Sequence, residues 1–319
     1  MIARLEHLRI PVDGGDLYVG IWPAQAARTG PAVAASDAIR SSDRSERIVI
    51  AIHGGTSSHR IWHRVADALG GGATLVAPDF RGANGSEAVG PPFGLRAHAD
   101  DVRRVADHFG AERVVLAGWS LGGFIAANAA VELRDRVLGV ALVDGGLPLP
   151  LPDGFDPEAM QDVLIEPAMK RYRMRFTSRD EHRAVWRAHP SLSDPSLWSE
   201  ALVEAIDDEL AEELEDGLAS ATSRLRFRVN LESLRADVLD TLRGETRTAV
   251  DRIGAPTTFV WAELGLENEP VGYYPRASLR EYARSRPIRI ASGDGLNHYT
   301  LMLSERGASQ IAGELMRFF

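Results

Sequence analysis

One short stretch constrains the fold more than any other. An apolar run, Val114–Ala117, leads directly into Gly-Trp-Ser-Leu-Gly, which places a serine at position 120, and an alanine-rich segment follows. A serine on a sharp turn between a strand and a helix projects its hydroxyl above the edge of a sheet. Crowding at such a turn requires glycine on both sides, here Gly118 and Gly122. The N-terminus of the following helix also favours developing negative charge. The stretch therefore predicts that Ser120 is a nucleophile at a strand-to-helix turn.

Further apolar runs rich in Val and Ile recur along the chain. Apolar residues on successive positions indicate strands that are buried on both faces of a parallel sheet. Helical stretches lie between these runs, and this alternation predicts an α/β fold with a mostly parallel central sheet and flanking helices. The predicted strands are Ile48–Ile52, Thr74–Ala77, Val114–Ala117, Val137–Val143, Thr257–Trp261 and Ile288–Ala291, and the predicted helices are 60–69, 96–109, 121–134 and one from about 304.

The first 46 residues differ from this pattern. Residues 5–23 are interpreted as a two-stranded hairpin, because Asp13-Gly-Gly-Asp16 has the composition of a hairpin turn. Residues 24–46 are rich in Ala, Ser, Arg and Gly and show no periodicity. We interpret them as a partly mobile surface loop.

A second departure from the pattern lies at 148–250, where the composition changes. We predict that 1–147 and 251–319 form the core and that 148–250 is an inserted helical cap, or lid. Within it, residues 199–216 are strongly acidic and predict one helix with a single apolar face. That face consists of Leu202, Ile206, Leu210 and Leu214. Three arginines of the same segment are expected in salt bridges rather than in an anion site: Arg171, Arg173 and Arg175.

Two glycine-containing motifs follow predicted strands upstream of Ser120. His53-Gly54-Gly55-Thr56 comes directly after Ile48–Ile52. Backbone N–H groups in such a loop can point at a developing oxyanion where no bulky side chain intervenes. The segment 79–86, Asp-Phe-Arg-Gly-Ala-Asn-Gly-Ser, follows the next strand and is interpreted as a structural loop.

A serine nucleophile needs a base with a pKa near 7, and histidine is the usual one. The chain contains nine histidines. His298 lies on a loop after the last predicted strand and downstream of Ser120. This position fits the chain order of nucleophile, acid and histidine that is typical of such an arrangement. His298 is therefore the candidate base.

Together these residues resemble the α/β-hydrolase superfamily, in the branch that carries a helical cap. The resemblance covers nearly the whole chain outside 24–46 and 148–250. It implies that Ser120 is the nucleophile and His298 the base. It further implies an oxyanion hole made by the backbone N–H groups of Leu121 and of Gly55, with Thr56 as the alternative to Gly55.

The acid that orients the histidine is where this sequence departs from the family pattern. Most relatives carry an aspartate after the strand that is Thr257–Trp261 here, but this chain has Gly265 at that place. Other members carry the acid after the preceding core strand, where this chain has Asp144. Asp144 is the preferred candidate. Three glutamates near Gly265 remain as alternatives: Glu263, Glu267 and Glu269.

The resemblance implies hydrolysis of a carboxylic ester or lactone through an acyl-enzyme intermediate, and this chemistry requires no cofactor or metal. A carbon–carbon bond hydrolase or an aminopeptidase would use the same triad, and a receptor-like ligand-binding homologue with slow turnover is a third alternative. Epoxide hydrolases and dehalogenases of this fold use an aspartate nucleophile, so a serine at 120 disfavours them. Three tryptophans could line the substrate pocket or the core: Trp62, Trp119 and Trp261.

Composition adds a few exclusions. The 319 residues include no cysteine, which excludes disulfides, thiolate zinc sites and a cysteine nucleophile. The net charge of −9 argues against non-specific nucleic-acid binding, which needs clustered positive charge. No apolar run reaches the roughly 20 residues of a membrane span. We therefore expect a cytoplasmic protein, a monomer or homodimer, that acts on a small-molecule ester or lactone and binds neither nucleic acid nor membrane.

Overall fold

The structure is a computed structural model that describes residues 4–25, 47–55, 57–213 and 224–319. Most strands begin within one residue of where the apolar runs begin. In chain order the strands are β1 (Glu6–Val12), β2 (Gly15–Trp22), β3 (Ile48–Ile52), β4 (Thr74–Pro78), β5 (Val114–Trp119), β6 (Val137–Val143), β7 (Leu210–Glu213), β8 (Arg224–Phe227), β9 (Thr257–Leu264) and β10 (Ile288–Asn297).

Eight of these strands form one central sheet in the order β1-β2-β4-β3-β5-β6-β9-β10. The hairpin β1–β2 joins the sheet antiparallel to β4. From β4 to β10 all neighbours run parallel. The predicted mostly parallel α/β sheet is therefore confirmed, and its first two strands form the predicted hairpin.

Helices cover both faces of the sheet. Alternate residues of β3 belong to two separate apolar clusters, which explains why its whole sequence is apolar. Helices α2 and α3 pack in one cluster, and α1 and α11 in the other. The helices are α1 (His63–Leu69), α2 (Leu95–His108), α3 (Leu121–Leu133), α4 (Pro157–Tyr172), α5 (Arg179–Arg187), α6 (Glu200–Asp208), α7 (Leu231–Leu242), α8 (Gly244–Arg247), α9 (Arg276–Ser285), α10 (Thr300–Leu303) and α11 (Glu305–Met316).

The segment 148–250 lies between β6 and β9 and contains α4 to α8 together with β7 and β8. The strands β7 and β8 pair antiparallel as a separate small sheet. Helices α4 and α7 pack against each other, and α7 also contacts α2 and α3 of the sheet domain. The described part of this segment is thus mainly helical, with one two-stranded sheet.

The prediction of a single acidic helix over 199–216 is wrong. Helix α6 ends at Asp208, and the chain continues as β7, in which Leu210 pairs with Phe227. The last turn of α6 carries no basic residue of its own, and its side chains Asp207 and Asp208 pair with Arg183 and Arg60 from other parts of the chain. The Glu209 carbonyl instead accepts a bond from the Arg228 N–H at 2.8 Å. Sheet pairing therefore replaces the continued helix, and Leu214 lies outside the described residues.

The remaining expectations concern the loop at 24–46 and the absence of a membrane span. The loop predicted over 24–46 lies outside the described residues from position 26 onward. Among the helices that the structure describes, none has the length and apolarity needed to cross a lipid bilayer.

Candidate active site

Ser120 lies at the turn between β5 and α3, at the carboxyl end of the central strands. Its φ of 56° and ψ of −124° place a non-glycine residue in a strained region of backbone space, a conformation that costs roughly 1–3 kcal/mol. The Ser120 N–H donates to the Val143 carbonyl at 2.9 Å, which holds the turn against β6. Strain of this kind is typical of functional sites.

The flanking glycines are required by close backbone contacts. A Cβ at Gly118 would lie 2.1 Å from the Gly122 carbonyl oxygen. A Cβ at Gly122 would in turn lie 2.3 Å from the Ile52 carbonyl oxygen at the end of β3. No side chain fits at either place, so the Gly-x-Ser-x-Gly spacing follows directly from the packing of the turn.

His298 and Asp144 lie together, with Nδ1 of the imidazole 2.7 Å from one carboxylate oxygen of Asp144. Both side chains are buried. The other carboxylate oxygen of Asp144 accepts a bond from the Ala262 N–H at 3.2 Å, and the His298 carbonyl accepts one from the Trp119 indole at 3.2 Å. A carboxylate at Nδ1 requires the proton on that nitrogen, which leaves Nε2 as the acceptor.

Ser120 and His298 line the same cavity. Among the described residues no hydrogen bond of 3.5 Å or less joins the Ser120 hydroxyl to the imidazole. Such contacts are often long in unliganded enzymes and tighten in the substrate complex. The arrangement therefore places a hydroxyl, an imidazole with a free Nε2 and a buried carboxylate around one space.

The three alternative acids have other partners. Glu263 accepts a hydrogen bond from the Gly295 N–H at 2.7 Å and lies 3.6 Å from the Arg276 guanidinium. Glu269 accepts a bond from the Glu267 N–H at 2.8 Å, and Glu267 itself is exposed. Among the described contacts of the His298 ring nitrogens, only Asp144 supplies a carboxylate.

The loop after β3 faces the Ser120 turn. Gly55 and Leu121 both line the cavity, and among the described residues neither of their N–H groups has a hydrogen-bond partner. Such free N–H groups can stabilise an oxyanion. A Cβ at Gly54 would lie 2.9 Å from the Trp119 ring, so glycine is needed where this loop passes the serine turn. Thr56 lies outside the described residues.

His53 fixes this loop rather than taking part in proton transfer. Its Nδ1 lies 2.7 Å from the Gly54 carbonyl, and its Nε2 accepts from the Phe80 N–H at 3.3 Å. These partners require the neutral ring with the proton on Nδ1. Burial lowers the pKa of His53 to about 4, which keeps the ring neutral at physiological pH.

The cavity has a volume of about 570 Å³ and is walled mainly by apolar side chains. Its floor comes from the strand ends and its far wall from α4 and α7 of segment 148–250. The residues from these two helices are Val163, Leu164, Ile165, Pro167, Ala168, Arg171, Leu234, Val238 and Thr241. Segment 148–250 therefore forms one side of the space that Ser120 faces.

Of the three candidate tryptophans, Trp119 lines the cavity and the other two lie elsewhere. Trp62 is fully buried in the apolar cluster with α1 and α11. Trp261 is buried in β9, and its indole donates to the Tyr274 carbonyl at 2.7 Å. Both positions are part of the core, so Trp62 and Trp261 are not pocket residues in this structure.

Sequence reasoning missed one contact of the site entirely. The Tyr172 hydroxyl, at the end of α4, donates to the Gly55 carbonyl at 2.9 Å. Tyr172 is buried, and burial raises the pKa of its phenol, so the hydroxyl keeps its proton. No local motif marks this tyrosine, because the two partners are 117 residues apart and meet only in the folded chain.

Arg171 and Arg175, both expected in salt bridges, differ in the structure. Arg175 forms the expected salt bridge, with Glu213. Arg171 instead lines the cavity. Among the described residues, no group of three His, Asp or Glu side chains is placed to hold a metal ion.

Comparisons with known proteins give one family. The alpha/beta hydrolase fold family matches residues 47–266. Lipase LipV of Mycobacterium tuberculosis is 26% identical over 223 residues, which are 68% of this chain and 77% of the lipase. Soluble epoxide hydrolase of a Corynebacterium species is 34% identical over 96 residues, 30% of this chain and only about a third (34%) of that enzyme. An alpha/beta hydrolase structure from Novosphingobium aromaticivorans superposes with a TM-score of 0.69 at 17% identity, over 100% of both chains. The chain therefore belongs to the alpha/beta hydrolase family.

Proposed function

We propose that this hydrolase cleaves carboxylic esters, including lactones, through an acyl-enzyme intermediate on Ser120. The observation that carries the proposal is the 2.7 Å contact between His298 and Asp144, next to a serine on a strained turn. A buried carboxylate that holds Nδ1–H makes Nε2 available as a general base. The free N–H groups of Gly55 and Leu121 supply an oxyanion hole at the same end of the sheet.

In the first half of the reaction, His298 Nε2 takes the proton from Ser120 as the serine oxygen attacks the ester carbonyl. The carbonyl oxygen becomes an oxyanion, and the N–H groups of Gly55 and Leu121 donate to it. The tetrahedral intermediate then collapses. The bond to the alcohol breaks, and the imidazolium returns its proton to the leaving oxygen.

The second half repeats the same steps with water. His298 takes a proton from a water molecule as its oxygen attacks the acyl carbon. The bond to the serine oxygen then breaks, Ser120 regains the proton from the imidazolium, and the carboxylic acid leaves. Asp144 keeps its charge throughout and stabilises the imidazolium that forms in each half.

Segment 148–250 acts as the lid of this site in our proposal. Helices α4 and α7 place apolar side chains opposite Ser120, which limits the water around the reacting atoms. An apolar cavity of about 570 Å³ suits a small organic ester better than a large polymer.

Two of the relatives bear on the choice of reaction. LipV is a lipase, and its match covers most of both chains. The epoxide hydrolase match is partial, and a serine at 120 replaces the aspartate nucleophile that epoxide hydrolysis on this fold uses. Ester hydrolysis therefore fits Ser120 better than epoxide opening does.

A panel of p-nitrophenyl esters of increasing acyl length, together with a set of lactones, tests the proposal. We expect turnover of at least one class by the wild type and its loss by ~10⁴-fold or more in Ser120→Ala. The serine hydroxyl is small and lies at a turn, so the variant should keep the wild-type circular dichroism spectrum. More than a tenth of wild-type activity in a folded Ser120→Ala preparation would exclude a serine-hydrolase mechanism.

A further inference from the structure

Arg171 is the cationic side chain in the wall of the active-site cavity, next to the catalytic groups. It lies near the end of α4, on the cavity side of segment 148–250. Its Nε is buried and has no hydrogen-bond partner. Within the described residues, no carboxylate lies within 4.0 Å of its guanidinium. A buried donor without a partner is costly, so the unpartnered Nε of a guanidinium in a cavity wall calls for an explanation.

Other arginines of the same segment are paired in the usual way. Arg175 forms an ion pair with Glu213, and Arg183 does so with Asp207. Acidic residues are therefore at hand in segment 148–250, and Arg171 is set apart from them. This contrast shows that the unpaired state of Arg171 does not follow from a shortage of acids.

The guanidinium of Arg171 is held in place by aromatic rings. Its central carbon lies 4.9 Å from the centroid of the Trp186 ring and 5.6 Å from that of Tyr172. Stacking of this kind uses the faces of the guanidinium. Tyr299 and Tyr172 also interact with the polar end of the side chain, and the buried Nε is the donor that stays without a partner. Burial by itself would lower the pKa of Arg171, but the neighbouring Tyr299, Tyr172 and Glu209 outweigh it and raise the pKa, so the group stays charged.

Glu209 is the acid whose charge acts on Arg171, but among the described residues no ion pair of 4.0 Å or less joins the two side chains. Burial raises the pKa of Glu209 to about 8, although the charge of Arg171 acts to lower it. Its Oε2 accepts the Trp186 indole N–H at 3.2 Å. His182 beside it is neutral, because burial lowers its pKa to about 4. The positive charge of Arg171 is thus left for a group that enters the cavity.

The other charged groups that face the cavity do not compete for this role. Asp144 is committed to His298. Glu267 also lines the cavity, but it is exposed, so water screens its charge.

We infer that the substrate is an ester that carries a carboxylate, which Arg171 binds while Ser120 attacks the ester carbonyl. This inference rests on the proposed ester hydrolysis and names its substrate class. A guanidinium donates two parallel N–H bonds to a carboxylate, a geometry that fixes orientation as well as charge. The apolar remainder of the wall then contacts the carbon chain between the carboxylate and the ester.

The carboxylate can sit on the acyl side or on the alcohol side of the ester, and two substrate pairs separate these cases. Monomethyl glutarate and methyl pentanoate test the acyl side by methanol release. The acetate esters of 4-hydroxybutanoate and of pentanol test the alcohol side by acetate release. Each pair matches a charged ester with a neutral one of similar length.

In the wild type we expect the charged ester of at least one pair to have a kcat/KM at least 10-fold above its neutral match. In Arg171→Gln this ratio should fall by about 10- to 100-fold, mainly through KM, because a charge-assisted pair in a partly buried site is lost. Arg171→Lys keeps the charge but not the paired donors. Its ratio of kcat/KM for the charged ester to that for the neutral ester should therefore lie between the ratios of the wild type and Arg171→Gln. Arg173→Gln, which removes an exposed charge two residues away, should keep the wild-type ratio.

A variant-free measurement accompanies these ratios in case Arg171→Gln fails to fold. With the wild type and methyl pentanoate, glutarate should inhibit competitively at a concentration at least 10-fold lower than glutaramide does. Equal inhibition by the two, or neutral esters cleaved as well as charged ones, would overturn the role of Arg171 and leave ester hydrolysis standing. Absence of hydrolysis of every ester and lactone would instead reject the proposed function itself.

Discussion

Asp144 is held at both of its carboxylate oxygens, one by His298 at 2.7 Å and the other by the Ala262 N–H at 3.2 Å. The residue itself adopts a positive φ of 45°, and Ala262, its backbone partner, belongs to β9. The carboxylate is therefore fixed by the neighbouring strand β9, and Gly265 in the loop after that strand offers no carboxylate of its own.

We predict that Asp144→Asn lowers kcat by up to ~10⁴-fold, because an amide at this place favours the wrong imidazole tautomer. Glu263→Gln is the matched control. It also replaces a carboxylate by an amide, but the Glu263 carboxylate accepts a hydrogen bond from the Gly295 N–H rather than from His298. Steady-state kinetics on the best p-nitrophenyl ester measures both. A near-normal Asp144→Asn beside an inactive Glu263→Gln would move the acid to the later loop.

Helix α4 contributes to the site at the level of a whole element. Its last residue, Tyr172, is hydrogen-bonded to the Gly55 carbonyl of the oxyanion loop, and its preceding residue, Arg171, lies in the cavity wall. One helix of segment 148–250 thus contacts both the cavity and the loop that carries Gly55, whose N–H is a proposed oxyanion donor. Tyr172 is a positioning residue, since it acts through the Gly55 backbone.

We predict that Tyr172→Phe lowers kcat about 3- to 10-fold with little change in KM for a neutral ester, because one hydrogen bond to the oxyanion loop is lost. Tyr282→Phe is the control, since the Tyr282 hydroxyl bonds to Asp251 away from the cavity. Initial rates measured over a full range of substrate concentrations give kcat and KM separately for each variant. Equal losses in the two variants, or a change in KM alone, would show that the bond does not position the loop.

At the scale of the whole molecule, buried neutral histidines make the fold sensitive to acid. His53 has a folded pKa of about 4 against an ordinary value of 6.5, and burial is the main cause. Between these two pH values the unfolded chain binds a proton that the folded chain does not. The free energy of unfolding therefore falls as pH drops through this window and is fully restored above about pH 6.5.

We predict that the wild type loses about 2 kcal/mol of unfolding free energy from this group alone between pH 7 and pH 5. His53→Asn cannot titrate, and its own loss over the same range should be smaller by about that amount. Urea unfolding of both proteins at the two pH values measures the difference. Other groups, such as Glu209 with its opposite sign, contribute equally to both proteins. An identical pH loss in the two would show that His53 is not held neutral.

Much of the fold was predictable because it depends on local pattern. Buried parallel strands leave continuous apolar runs, and β3 and β6 coincide with the predicted strands. The Ser120 turn was predictable because its glycines are demanded by contacts among nearby backbone atoms. The prediction of one acidic helix is wrong because Leu210 pairs with Phe227 of β8, and the local sequence pattern does not predict β8 as a strand.

The parts of the site that come from distant segments were harder to predict from the sequence. Asp144 was favoured over the glutamates by position alone, and its contact with His298 spans 154 residues. The sequence does not distinguish Trp62 and Trp261 from Trp119 as pocket residues. Only the packing of the folded chain shows which tryptophan lines the cavity and which two lie in the core. The sequence favours a salt bridge over an anion site for Arg171, yet among the described residues no carboxylate lies within 4.0 Å of it. Its separation from carboxylates is a property of the folded segment.

The central claim is that Ser120 becomes covalently acylated. Intact-protein mass spectrometry after brief mixing with a p-nitrophenyl ester and an acid quench measures this directly, and digestion locates the modified peptide. We predict a mass gain equal to one acyl group on the peptide that contains Ser120 in the wild type, a much slower gain in Asp144→Asn, and no gain in Ser120→Ala. Turnover without any acylated protein, or acylation of a different residue that persists in Ser120→Ala, would contradict the mechanism.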